Sequence, residues 1–205
     1  MPDYTDLPLY SVLKTQGSQL LVALRLIWGR WWALRWIVAN SIGWSAGMLA
    51  AALLVRGAGW IGALFAGTLL AAFAAGLQSA VLPSADLAWR RWIAFSALGG
   101  LLATVPVYLL GLLALLVLPP GLMLMGAVFG AASAVGQALL LRPLSGEQAW
   151  FWVIACAIAG SLCAPLTLSA SSFGLPVFCA PGPLIFGAVT AWVLPRILHG
   201  SAISD

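Results

Sequence analysis

Six polar side chains recur at matching offsets in an otherwise apolar chain, and they are the first candidates for chemistry. Asn40 follows Arg35-Trp36 and Ser96 follows Arg91-Trp92 at the same spacing, and Cys156 stands at that spacing after Trp152. Gln78, Gln137 and Thr190 each precede a leucine (Leu82, Leu141, Leu194) by four residues. On a helix rising 1.5 Å per residue, the five residues from Arg35 to Asn40 or from Gln137 to Arg142 correspond to about 7.5 Å below a charged boundary. The six groups are therefore expected in one layer, with contacts Asn40–Gln78, Ser96–Gln137 and, more weakly, Cys156–Thr190. An amide left unpaired in hydrocarbon costs several kcal/mol, whereas such contacts between helices contribute on average about 0.6 kcal/mol. Two uses of the layer stand side by side. It is either glue fixing helix register or a ring that binds a headgroup, a small polar solute or a cofactor carbonyl.

The residues that would support other chemistries are missing from the expected positions. No carboxylate falls inside any expected span, so proton relays and carboxylate-coupled transport lack their usual carriers. The single histidine, His199, lies near the C-terminal end, which leaves His-assisted hydrolysis, His-ligated metals and haem without support. Neither a P-loop nor a dinucleotide-binding pattern occurs. No enzyme activity, cofactor or metal is expected. Cys156, Cys163 and Cys179 lack metal-site spacing; they read as buried thiols, or as a Cys163–Cys179 disulfide if the outer face is oxidising.

The elements that must position these groups follow from charge. Of 205 residues 63% are apolar and 7% charged, against roughly 25% charged in a soluble domain, so the reading is an integral membrane protein. Four windows carry no Asp, Glu, Lys or Arg: 36–55, 57–85, 92–141 and 148–195. At about 20 residues per crossing they accommodate six spans, near 33–55, 59–82, 92–118, 121–141, 149–168 and 177–194. The third window is broken at Pro119-Pro120-Gly121. The fourth is broken across 165–183, read as an outer loop or a lid, not helical throughout. Residues 1–32 are expected to be a cytoplasmic segment with an amphipathic interfacial helix, 33–198 the transmembrane domain and 199–205 a cytoplasmic tail. Eight of the nine basic residues fall on one side of this layout, Arg56 alone on the other, which orients both termini to the cytoplasm of a cell's inner (plasma) membrane. Arg35, Arg91, Arg142, Trp36, Trp92, Trp150 and Trp152 are expected as anchors at the headgroup level. The net charge of +4 is met by lipid headgroups rather than nucleic acid.

The chain also repeats itself about every 55 residues. Each unit reads as one helical hairpin, so the fold class is all-α, with six transmembrane helices as three tandem hairpins. Gly43/Gly47 and Gly126/Gly130 form Gly-x-x-x-Gly steps for close helix packing. The repeat resembles a group of bacterial multi-pass membrane proteins with a Gly-x-x-Gln-x-x-x-Leu-Arg pattern before a Trp-rich helix start. Gln137 to Arg142 is the nearest match, Pro83 replaces the Arg after Gln78, and the third copy has Thr190 for Gln. The resemblance implies an architecture and no activity. The functional expectation is a non-enzymatic structural or accessory subunit, with the lipid bilayer and other membrane-protein subunits as partners. The alternative is a small-solute binding or transport protein with its polar site between the hairpins.

Overall fold

The computed structural model describes residues 30–82, 89–114, 117, 119–172 and 181–200. The expected interfacial helix before residue 30, the tail beyond residue 200 and Cys179 lie outside them. Within them the chain is helical, as a sequence rich in Ala and Leu must be if its backbone donors are to be satisfied in hydrocarbon. The helices are α1 (Arg30–Val81), α2 (Trp89–Ala114), α3 (Pro120–Ser145), α4 (Trp150–Ser172) and α5 (Pro181–Gly200).

Helix α1 is not one rod. A straight helix of 52 residues would run about 78 Å, yet Trp32 Nε1 donates to the Val81 carbonyl at 3.2 Å. The reversal falls at Gly59, whose φ of 57° and ψ of −132° suit a residue without Cβ. The limbs 30–58 and 60–81 then pack antiparallel. A Cβ on Gly43 would lie 2.8 Å from the Ala74 Cα, and one on Gly47 would lie 2.9 Å from the Leu70 Cα.

Helix α3 starts at prolines: Pro119 occupies its N-cap and Pro120 opens it, where a missing N–H costs nothing. Helices α3 and α4 are joined by a 3-10 turn, Gly146–Ala149. Gly146 takes φ 58° and donates its N–H to the Arg142 carbonyl. The exposed Arg142–Glu147 ion pair at 2.7 Å spans this turn and, being solvated, adds little. One expectation needs correction here. The segment from Pro165 is helical to Ser172, with Pro165 inside α4; the expected start of the last span near residue 177 lies outside the described residues, and α5 is described from Pro181. A helix in a bundle tolerates an internal proline because neighbouring helices re-satisfy the freed backbone.

Each rod packs on the next, and α5 closes the ring on the first limb of α1: Gly187 abuts the Ile37 Cα and the Asn40 side chain. Gly126 and Gly130 set the α3–α4 crossing, Gly126 against the Gly160 carbonyl and Gly130 against the Cys156 carbonyl. A similar glycine pair, Gly67 and Gly100, brings the second limb of α1 onto α2. Four stretches of the described residues are long and apolar enough to cross a membrane: Trp31–Val81, Trp89–Gly111, Pro120–Thr167 and Pro181–Leu198. Helix assignment thus delimits four such stretches in place of the six separate spans expected. Two of them, of 51 and 48 residues, contain the reversals at Gly59 and at residues 146–149.

Candidate functional site: a buried ring of indoles and amides

The polar residues singled out by spacing converge at one level inside this ring of helices. Asn40, Gln78, Ser96, Gln137, Cys156 and Thr190 are all buried, each exposed by 5% or less. Gln78 Nε2 donates to Asn40 Oδ1 at 2.8 Å, and Gln137 Nε2 donates to Ser96 Oγ at 2.7 Å. A longer bond of 3.3 Å from Gln137 Nε2 to Gln78 Oε1 links these two pairs. Asn40 Nδ2 donates to the Trp36 carbonyl at 2.9 Å and Ser96 Oγ to the Trp92 carbonyl at 2.7 Å, so each is anchored to its own helix one turn back.

Cys156 and Thr190 are not joined. The Thr190 hydroxyl donates to the Phe186 carbonyl at 2.7 Å. The reason is reach: a threonine hydroxyl sits on Cβ and cannot span the gap that a glutamine amide crosses, so it falls back on the carbonyl four residues earlier.

Three residues expected at the headgroup level belong to this layer instead. Trp36, Trp92 and Trp152 are wholly buried, which corrects their reading as boundary anchors. A buried indole must place its N–H, and each does so on the polar residue of the rod that packs beside it. Trp92 Nε1 donates to Gln78 Oε1 at 3.2 Å. Trp152 Nε1 donates to Gln137 Oε1 at 2.7 Å. Trp36 Nε1 donates to Thr190 Oγ1 at 2.9 Å. The rings also meet one another, Trp36 with Trp152 at 6.2 Å and Trp92 with Trp152 at 6.1 Å between centroids. The other expected anchors, Arg35, Arg91, Arg142 and Trp150, are exposed.

The signal for the indoles was present in the repeat. Each stands four residues before Asn40, Ser96 or Cys156, one helical turn along the same face, so a buried polar layer requires buried tryptophans beside it. Another residue missed is Trp44, eight after Trp36, where Gly100 and Gly160 stand eight after Trp92 and Trp152. Trp44 fills the axis below the ring, against Phe186 at 4.8 Å and Phe129 at 5.8 Å. Its Nε1 has no hydrogen-bond partner among the described residues.

Apart from Trp44 Nε1, the site is chemically saturated. Both ends of the Gln78 and Gln137 amides are engaged, and the space enclosed by Trp44, Gln78, Ser96, Ser133, Gln137 and Phe186 is about 20 Å³. That is room for about one water molecule. No cluster of three or more His, Cys, Asp or Glu residues that could hold a metal occurs among the described residues. Cys163 is a free, buried thiol with its sulfur 3.6 Å from Thr167 Oγ1; Cys179 lies outside the described residues. Comparison with protein-family models, curated proteins and solved structures finds no match to the chain.

Proposed function

We propose that the protein is a non-enzymatic multi-pass membrane protein that serves as a structural or accessory subunit of a larger membrane complex. The 51- and 48-residue apolar stretches each cross twice and the other two once, giving six crossings in three tandem hairpins of the repeat-bearing kind resembled by the sequence. The membrane is the inner (plasma) membrane. Arg35, Arg90, Arg91, Arg142 and Arg196 share one end of the ring of rods and Arg56 the other, which by the positive-inside rule turns the basic end, and both termini, to the cytoplasm.

The observation that carries this reading is the saturation of the polar layer. A solute carrier of this size requires a central site with polar groups free to exchange partners. Here the amides, the Ser96 and Thr190 hydroxyls and the indoles of Trp36, Trp92 and Trp152 engage one another, with Trp44 Nε1 the exception, beside a space no larger than a water molecule. The interior holds the bundle together, and interactions with other molecules fall to the outer faces. The test is purification of the tagged protein from native membranes in mild detergent, followed by mass measurement of the intact particle. A stoichiometric assembly with another membrane protein supports the reading. A monodisperse monomer overturns it.

A further inference from the structure

The described residues form a groove of about 820 Å³ on the outer surface between α4 and α5. It lies within the roughly 300–1,000 Å³ range of sites that enclose small ligands. Its walls are Phe151, Ile154 and Ile158 on α4 and Val189, Trp192 and Val193 on α5, and its polar residues are Gln148 and Arg196. We propose that this groove is a binding site for one anionic phospholipid, with the phosphate on Arg196 and an acyl chain between the helices.

Three features of the groove support that occupant. The first is length. From Gln148 in the 3-10 turn to Ile158 on α4 the groove extends about 15 Å, which is half of a hydrocarbon core about 30 Å thick. That depth suits a chain reaching from one headgroup level to the bilayer centre, whereas a partner transmembrane helix would ask for a seam across the whole thickness. The second is polarity. Gln148 and Arg196 lie together at the basic end of the ring of rods, and everything deeper is hydrocarbon or indole. The third is charge. The Arg196 guanidinium stacks 3.7 Å from the centroid of the Trp192 ring and donates to the Trp192 carbonyl, so it is held at the mouth with further N–H groups available. The one acid among the described residues, Glu147, is paired with Arg142. A fixed guanidinium beside an indole, above an apolar slot, complements a phosphodiester attached to a chain.

The experiment measures thermal unfolding and native mass spectra of the intact chain in detergent, with phosphatidylglycerol, phosphatidylcholine of the same chains, or inorganic phosphate added. The expected result is a raised unfolding midpoint and a retained single lipid with phosphatidylglycerol, at roughly tenfold tighter apparent binding than phosphatidylcholine. Arg196→Gln removes that preference, and Arg196→Lys keeps most of it. Ala188→Trp, which fills the slot without touching the cation, abolishes retention of either lipid. Equal binding of the two lipids, a preference that survives Arg196→Gln, or the same stabilisation by inorganic phosphate alone overturns the proposal. Membrane partners may be present or absent without affecting the outcome, so failure here is separable from failure of the subunit reading.

Discussion

Trp36 and Thr190 stand 154 positions apart and are joined by a 2.9 Å hydrogen bond from the indole N–H to the hydroxyl. The same relationship holds between Trp92 and Gln78, 14 positions apart, and between Trp152 and Gln137, 15 apart. In the last two cases the indole lies near the start of one rod and its acceptor near the end of the rod before it. In the first case the opening rod reaches the last one. The rods thus form a closed ring, and Trp36–Thr190 is a bond between its first and last members.

Because Gln137 Oε1 accepts only from Trp152 among the described contacts, Trp152→Phe leaves a buried acceptor unpaired. The expected loss is about 1–2 kcal/mol of unfolding free energy, measured by reversible denaturation in mixed micelles. Trp44→Phe is the control. Its indole nitrogen has no partner to lose, so the change is expected to cost less, under about 1 kcal/mol.

Gln137→Leu removes a donor from Ser96 and Gln78 and an acceptor from Trp152 at once. A loss of roughly 2 kcal/mol is expected, and it should be the same whatever small polar solute is added. A screen in which any such solute stabilises the native protein but not the variant would show the layer to be a binding ring.

At the α3–α4 crossing the backbones nearly touch, since a Cβ on Gly126 or on Gly160 would run into the carbonyl of the other. Gly126→Leu therefore cannot be absorbed by a side-chain rotation. It is expected to destabilise by up to about 3 kcal/mol or to prevent folding, read as loss of monodispersity in detergent. Gly57→Ala faces open space and should leave the elution profile unchanged.

Cys156 and Cys163 are both buried and free. Neither is expected to react with a membrane-permeant maleimide while the protein is folded, and both should react once it is unfolded. Fast labelling of either in the native state would show a wet route into the core.

Much of this layer was legible before any coordinates. Charge-free windows locate the apolar helices because a charge in hydrocarbon is costly and therefore rare, and repeat offsets bring Asn40 to Gln78 and Ser96 to Gln137 because offset along a helix is depth. The fate of the tryptophans was not legible from position alone. An indole near a helix start satisfies itself equally at a wet headgroup or on a buried acceptor. Only counting the spare acceptors of Gln78 and Gln137 would have distinguished the two. The Cys156–Thr190 pair failed for a local reason, side-chain length. The helix across Pro165 was hidden because the rule that proline ends a helix presumes water as the competitor for the freed carbonyl. The groove between α4 and α5 has no sequence signature, since it depends on how two helices splay.

The central claim is that indole-to-polar bonds hold the bundle closed, and Trp36–Thr190 tests it most directly because it joins the first rod to the last. The measurement is a double-mutant cycle of Trp36→Phe and Thr190→Val by reversible unfolding in mixed micelles. The account predicts a coupling energy of about 1 kcal/mol, within the range found for polar contacts between membrane helices. Additive losses, with coupling below about 0.3 kcal/mol, would contradict it.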